Sequence, residues 1–166
     1  GANKLAAEGY VSAYAENYGI KSWIFSFPNV VGERFTHGII FDFIHKLRKS
    51  PQELEVLGNG EQFKPYLYVK DLIIGILFCW EKAQNKINLF NLGADSRTKV
   101  KDIAQWVLEA VGSKATIKYT GGDRGWVGDV PEFKYDLSKV HKLGWHADKT
   151  SDDAVRLAIA KVLNQA

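Results

Sequence analysis

The chain has no methionine, four prolines and one cysteine among its 166 residues, and each shortage excludes something. A single cysteine forms no internal disulfide and fills no multi-cysteine zinc pattern. Cys79, set in the apolar run DLIIGILFCW, therefore reads as a small buried hydrophobe in a chain compatible with a reducing, cytoplasmic setting. No apolar run reaches the roughly 18 to 20 residues of a membrane span, and the N-terminus lacks the basic, apolar, small-residue order of a secretory signal. The formal charge is only +3, with no run of five like charges. That pattern marks neither a nucleic-acid stripe nor an acidic tail. His37, His45, His141 and His146 show no H-E-x-x-H or comparable ligand spacing, so no metal is expected. No glycine-rich strand-to-helix phosphate loop is present either: TGGDRG has the composition without the spacing, and it follows the strands it would have to begin. With no methionine at position 1, the opening GANKLAAEGY reads as the middle of something, a fragment, a processed product or an engineered piece.

An apolar content of 46% is ample for a packed core. Leu5, Ala6, Tyr10, Ala13 and Tyr14 recur at three and four residues, predicting an amphipathic helix over 3–18 that Gly19 stops. IKSWIFSF reads as a buried strand of a parallel sheet, PNVVGERFTHG as a loop, and IIFDFIHKLRKS as a helix with Ile39, Ile40, Phe43, Ile44 and Leu47 inward and basic residues at its negative end. ELEVLG alternates as a strand, NG turns, and FKPYLYV is extended with Pro65 at an edge or loop. DLIIGILFCWEKA reads as a helix buried nearly all round. KINLFNLG and ATIKY read as strands, VKDIAQWVLEAVG as a helix capped by Thr98, LSKVHKLG as a short helix, and SDDAVRLAIAKVLNQ as a helix capped by Ser151. Helices alternating with strands give an α/β class.

The ordered series GANKLAAE, an apolar strand, FPNVVG, GNGEQFKPYLYVKD, N-x-G and R-x-x-x-G-D resembles the C-terminal half of the extended short-chain dehydrogenase/reductase family, in particular its nucleotide-sugar members typified by UDP-glucose 4-epimerase. Each motif is weak alone; the specificity lies in their order over nearly the whole chain. The resemblance implies the C-terminal part of an NAD(P)-binding Rossmann-type fold with its smaller substrate-binding subdomain. Residues 1–30 would be the last helix and strand of the Rossmann domain, and 31–166 mainly the substrate subdomain, with segments returning to the Rossmann sheet.

The family's Y-x-x-x-K motif puts its lysine at Lys4 and its tyrosine just before Gly1. A phenol with a pKa near 10 serves as a base near neutrality only when a neighbouring ammonium steadies the phenolate, and by resemblance Lys4 has that role and also contacts the nicotinamide ribose of NAD. Phe27 and Pro28 would border the nicotinamide, and Asn29 would hydrogen-bond the substrate diphosphate or sugar. Ser26 stands where the family usually has arginine. Lys64 would contact the nucleotide phosphates as a compact charge without arginine's bidentate fork. Arg124 would clamp the diphosphate and Asp129 accept from the ribose hydroxyls, while Phe41 and Leu57 are weaker candidates for enclosing the uracil. Asp71 is expected to cap the helix it begins.

The implied activity is NAD-dependent interconversion of UDP-glucose and UDP-galactose by an isomerase, with this chain as its substrate-binding portion and inactive alone. The alternatives are a sister dehydratase, decarboxylase or reductase, or a non-catalytic module that binds a nucleotide or dimerises through helix 3–18. Expected partners are a nucleotide-sugar and a second copy of the chain, with no nucleic acid or membrane.

Overall fold

The computed structural model of the protein describes residues 1–164. Helix α1 (Ala2–Tyr18) ends at Gly19, whose φ of 67° is the left-handed cap expected there. Strand β1 (Ser22–Ser26) runs parallel to β6 (Ile87–Asn91), with Ile24 opposite Leu89. Strand β2 (Asn29–Val31) runs parallel to β5 (Tyr66–Tyr68), and β3 (Glu53–Val56) parallel to β8 (Thr116–Tyr119). The short strands β4 (Phe63–Lys64) and β7 (Thr98–Lys99) pair antiparallel. The remaining helices are α2 (Ile39–Lys49), α3 (Val69–Lys82), α4 (Val100–Val111), α5 (Ser138–Leu143) and α6 (Ser151–Leu163).

Two hydrophobic cores organise these elements. The larger one takes Ile40, Phe43, Ile44 and Leu47 from α2, and Ile103, Ala104, Val107 and Leu108 from α4. From α6 it takes Ala154, Val155, Ala158, Ile159 and Val162. Each set repeats at three and four residues, so each helix turns one stripe inward. Strand β3 supplies Leu54 and Val56 from one face and leaves Glu53 and Glu55 in water, the period-two pattern of a strand with one covered face. The smaller core joins β5, β6, α3 and α5 through Leu67, Leu72, Cys79, Phe90, Leu92, Val140 and Trp145.

Several sequence expectations are corrected. The predicted inward face of α1 lies in water: Leu5, Ala6, Tyr10, Ala13 and Tyr14 are all exposed, and Ala15 alone is buried. Helix α3 is buried on one side only, since Ile73, Ile74, Leu77 and Trp80 are exposed. Strand β1 is half-buried along its length because β6 is its one partner strand among the described residues. The predicted loop after it contains β2. Pro65, which donates no hydrogen bond, falls between β4 and β5 and splits the extended piece into two strands with different partners.

Thr98 and Ser151 are not caps. Lys99 precedes α4, and Thr150 caps α6 by accepting from the Asp153 N–H. Buried Ser151 instead accepts from the Tyr66 N–H at 3.0 Å and lies 2.7 Å from the Thr98 hydroxyl, which donates to Asp152 at 2.6 Å. Both hydroxyls stitch α6 to the strands. Asp71 does lie in the first turn of α3, but it is buried and accepts from the Lys149 N–H at 3.1 Å, so it ties the helix to the segment before α6 rather than capping it. Gln165, the last residue of the predicted final helix, lies outside the described residues.

Candidate functional site

In an open parallel sheet ligands gather beyond the carboxyl ends of the strands. The chain leaving β1 here, Phe27 to Gly32, forms one wall of a cavity of about 750 Å³. The other walls come from the loop before α2, from the 57–64 turn and from residues 125–129.

The 57–64 turn explains its own composition. Gly58 and Gly60 have φ of 82° and 79°, and a Cβ on Gly58 would meet the Gln62 amide at 2.1 Å and the Arg124 carbonyl at 3.0 Å. The 120–125 loop crosses directly against this turn: the Gly58 N–H donates to the Thr120 hydroxyl at 2.8 Å, and the Gly121 N–H to the Gly58 carbonyl at 3.0 Å. Two segments some sixty residues apart in the chain are thereby locked into one wall.

That crossing sets Lys64 against Asp129 in a short ion pair, both side chains largely buried. Asp129 also accepts from the Gly125 N–H at 3.0 Å. Burial by itself raises the Asp129 carboxyl, but the Lys64 ammonium and the N–H groups of Gly125 and Val130 outweigh it and hold the group below the ordinary aspartate value. Beside the pair, buried Tyr66 has its hydroxyl pushed well above the usual phenol range by burial first and by the Asp129 charge second. A second polar cluster gathers around Glu33, in the loop before α2. Glu33 is held at about 2 by a backbone hydrogen bond, the Tyr68 hydroxyl at 2.9 Å and the Lys70 ammonium at 3.2 Å.

Of the residues singled out from sequence, Phe27, Pro28, Asn29, Leu57, Lys64 and Asp129 all line this cavity. Arg124, Lys4 and Phe41 do not. Arg124 is exposed behind the turn, with its backbone against Gly58. Lys4 is exposed on the first turn of α1. Phe41, on the flank of α2, stacks on His45 with ring centres 5.1 Å apart. Lys64 and Asp129, which the resemblance assigned to separate ligand contacts, are paired with each other here. Gln62, Tyr66, Glu33 and Trp126 line the cavity without having been assigned a role from sequence. Gln62 was visible inside GNGEQ, but its burial, with Oε1 lacking a hydrogen-bond partner among the described residues, depends on the crossing loops.

The cavity thus presents a lysine, a carboxylate and amide groups among apolar walls, a donor and acceptor set suited to an anionic ligand with a polyhydroxyl part. A crystal structure of a UDP-galactose 4-epimerase superposes with a TM-score of 0.85 and 34% identity, covering 97% of this chain and 52% of that one. An uncharacterized UDP-glucose epimerase of Bacillus subtilis is 26% identical over 151 residues, 91% of this chain and 47% of its own length. The dTDP-D-glucose 4,6-dehydratase of Mus musculus is 24% identical over 162 residues, 95% of this chain and 45% of its own. The chain therefore spans about half the length of the curated relatives it matches. Residues 1–93 match the model of the NAD dependent epimerase/dehydratase family, and with more than half of its length inside that match the chain belongs to this family.

Proposed function

We propose that the chain forms the nucleotide-sugar-binding portion, the C-terminal half, of an NAD-dependent 4-epimerase interconverting UDP-glucose and UDP-galactose. The observation that carries this reading is the cavity in which Asn29, Lys64 and Asp129 meet. In it, Lys64 turns toward the ligand's phosphates and Asp129 accepts from ribose hydroxyls, so that binding exchanges their mutual ion pair for two charge-matched ligand contacts. Asn29, exposed at the start of β2, donates to the diphosphate or sugar. Arg124 reaches the diphosphate from outside the cavity lining, and Leu57 stands toward the base, with Phe41 on the flank of α2 a weaker candidate for enclosing it.

NAD, when bound, supplies the hydride acceptor and donor for the sugar. This chain's contribution to its site is one edge: Phe27 stands exposed at the carboxyl end of β1 with Pro28 behind it, the position a nicotinamide ring can border. Lys4 is assigned the ammonium that steadies a tyrosinate base. The exposed tyrosines of α1 support pairing with a second copy, and a cytoplasmic setting belongs to the same reading. The dehydratase similarity supports a second reading, a sister reaction on the same bound nucleotide-sugar.

Calorimetric titration of the chain with UDP and UDP-glucose tests the binding role. Saturable binding is expected, weakened at least tenfold in Lys64→Gln and less in Arg124→Ala. A folded chain that binds neither ligand, or a Lys64→Gln variant that binds as tightly as the parent, overturns the site assignment. Product analysis of an enzyme containing this chain separates an epimerised UDP-hexose from a 4-keto-6-deoxy product.

A further inference from the structure

A second polar constellation lies away from the cavity. Asp95 sits in the loop after β6, His141 in the last turn of α5, and His146 just beyond Gly144, whose φ of 106° turns the chain back. One ligand-type atom from each of the three lies within 4.8 Å of the others. Nε2 of His141 is 3.6 Å from the Asp95 carboxylate, too long for a hydrogen bond. That same Nε2 is buried and has no hydrogen-bond partner among the described residues. The imidazoles of His141 and His146 stack with centres 4.0 Å apart and planes 22° from parallel. None of the three lines the cavity described above.

We propose that Asp95, His141 and His146 bind a divalent transition-metal ion of borderline softness, with Zn²⁺ as the type case. Two imidazoles and a carboxylate are a donor set that such ions take and that Mg²⁺ and Ca²⁺, which prefer oxygen, do not. Around a tetrahedral Zn²⁺ with bonds of about 2.0 to 2.2 Å, neighbouring ligand atoms stand about 3.3 to 3.6 Å apart. The His141 to Asp95 separation already has that value, whereas it leaves the buried nitrogen unsatisfied in the absence of an ion. His146 is exposed, so its ring is free to turn out of the stack and aim a nitrogen at the same point. Asp136, which interacts electrostatically with both Lys142 and His141, adds negative charge that offsets Lys142 beside the site. The ion would staple the loop after β6 to α5 and to the turn beyond it. The ligands come from positions 46 and 5 residues apart in sequence, which explains why no local motif announces them.

The test uses the tag-free chain, stripped with a chelator and titrated with ZnCl₂ by calorimetry, with its thermal melt followed in parallel. One equivalent is expected to bind, with a raised melting temperature. His146→Ala and Asp95→Asn, both at exposed positions, are each expected to weaken binding at least tenfold and to abolish the rise, while melting like the parent without metal. Co²⁺ should give the visible absorption of a low-coordinate nitrogen and oxygen site in the parent alone, and MgCl₂ should leave the melt unchanged. No saturable Zn²⁺ binding, or binding that persists unweakened in both variants, overturns the proposal.

Discussion

The two hydrophobic cores treat their helices in opposite ways. Around β3 and β8, helices α2, α4 and α6 each present an apolar stripe and each buries it. In the other region, α1 beside β1 and α3 beside β5 leave large side chains in water: Tyr10 and Tyr18 are each 70% exposed and Trp80 58%. The difference is one of supply. The first region has three helices that cover one another, whereas α3 packs inward on β2, β5 and α5 and has no helix over its outer side among the described residues. Apolar periodicity states which face a helix can bury; whether it does depends on what stands opposite. Contiguous exposed apolar patches of this kind mark interaction surfaces.

Substitutions that sample both regions sharpen this contrast. Leu54, fully buried in β3, should cost about 4 kcal/mol on Leu54→Ala, whereas Ile74→Ala on the open side of α3 should change unfolding free energy by under about 0.5 kcal/mol, both read from urea melts. Similar losses at the two sites would mean that the α3 face is covered in solution.

Asp129→Ala should cost about 3 kcal/mol at neutral pH, because it strands a largely buried lysine. The sign of its pH dependence follows from the lowered carboxyl value. The folded group stays ionised below the pH at which the unfolded one, with a pKa of about 3.9, takes up its proton. Its stabilisation is therefore complete above that pH and fades as pH falls through the folded value. Melting temperatures of parent and variant should accordingly converge on acidification below about pH 4; a constant gap would remove the ion pair as the cause.

Glycines give the smallest contrast. A Cβ on Gly75 in α3 would lie 2.8 Å from the buried Trp145 ring, so Gly75→Ala should destabilise by about 2 kcal/mol through overpacking. Gly9 in α1 has open space around it, and Gly9→Ala should stabilise by about 0.5 to 1 kcal/mol through helix propensity. Chemical denaturation reads both, and a loss at Gly9 would mean that α1 packs against a partner there.

Legibility followed range. Strand β3 and helices α2 and α4 were readable because period two and period 3.6 are written into neighbouring residues, and Gly19 marked the end of α1 for an equally local reason. Thr98 and Ser151 misled because a hydroxyl that looks like a cap in sequence serves equally well as a cross-link, and the partner of Ser151, the Tyr66 N–H, lies 85 residues away. In the candidate site, the motif order singled out Asn29, Lys64 and Asp129, which line the cavity, and Arg124, Lys4 and Phe41, which do not. The partner of Asp129 and the burial of Gln62 were not legible, since both depend on how the 57–64 turn meets the 120–129 loop.

By itself the sequence determined the alternation of helices and strands, the glycines at 58 and 60 where the backbone needs positive φ, and the residue types able to meet an anionic, polyhydroxylated ligand, because these follow from local sterics and side-chain chemistry. Only the tertiary structure decided that Lys64 pairs with Asp129, that Leu5, Tyr10 and Tyr14 of α1 stay in water, and that two histidines meet an aspartate 46 residues away from the first of them. Those outcomes depend on which distant segments come to share a surface, and pairwise electrostatics and burial act only once they do.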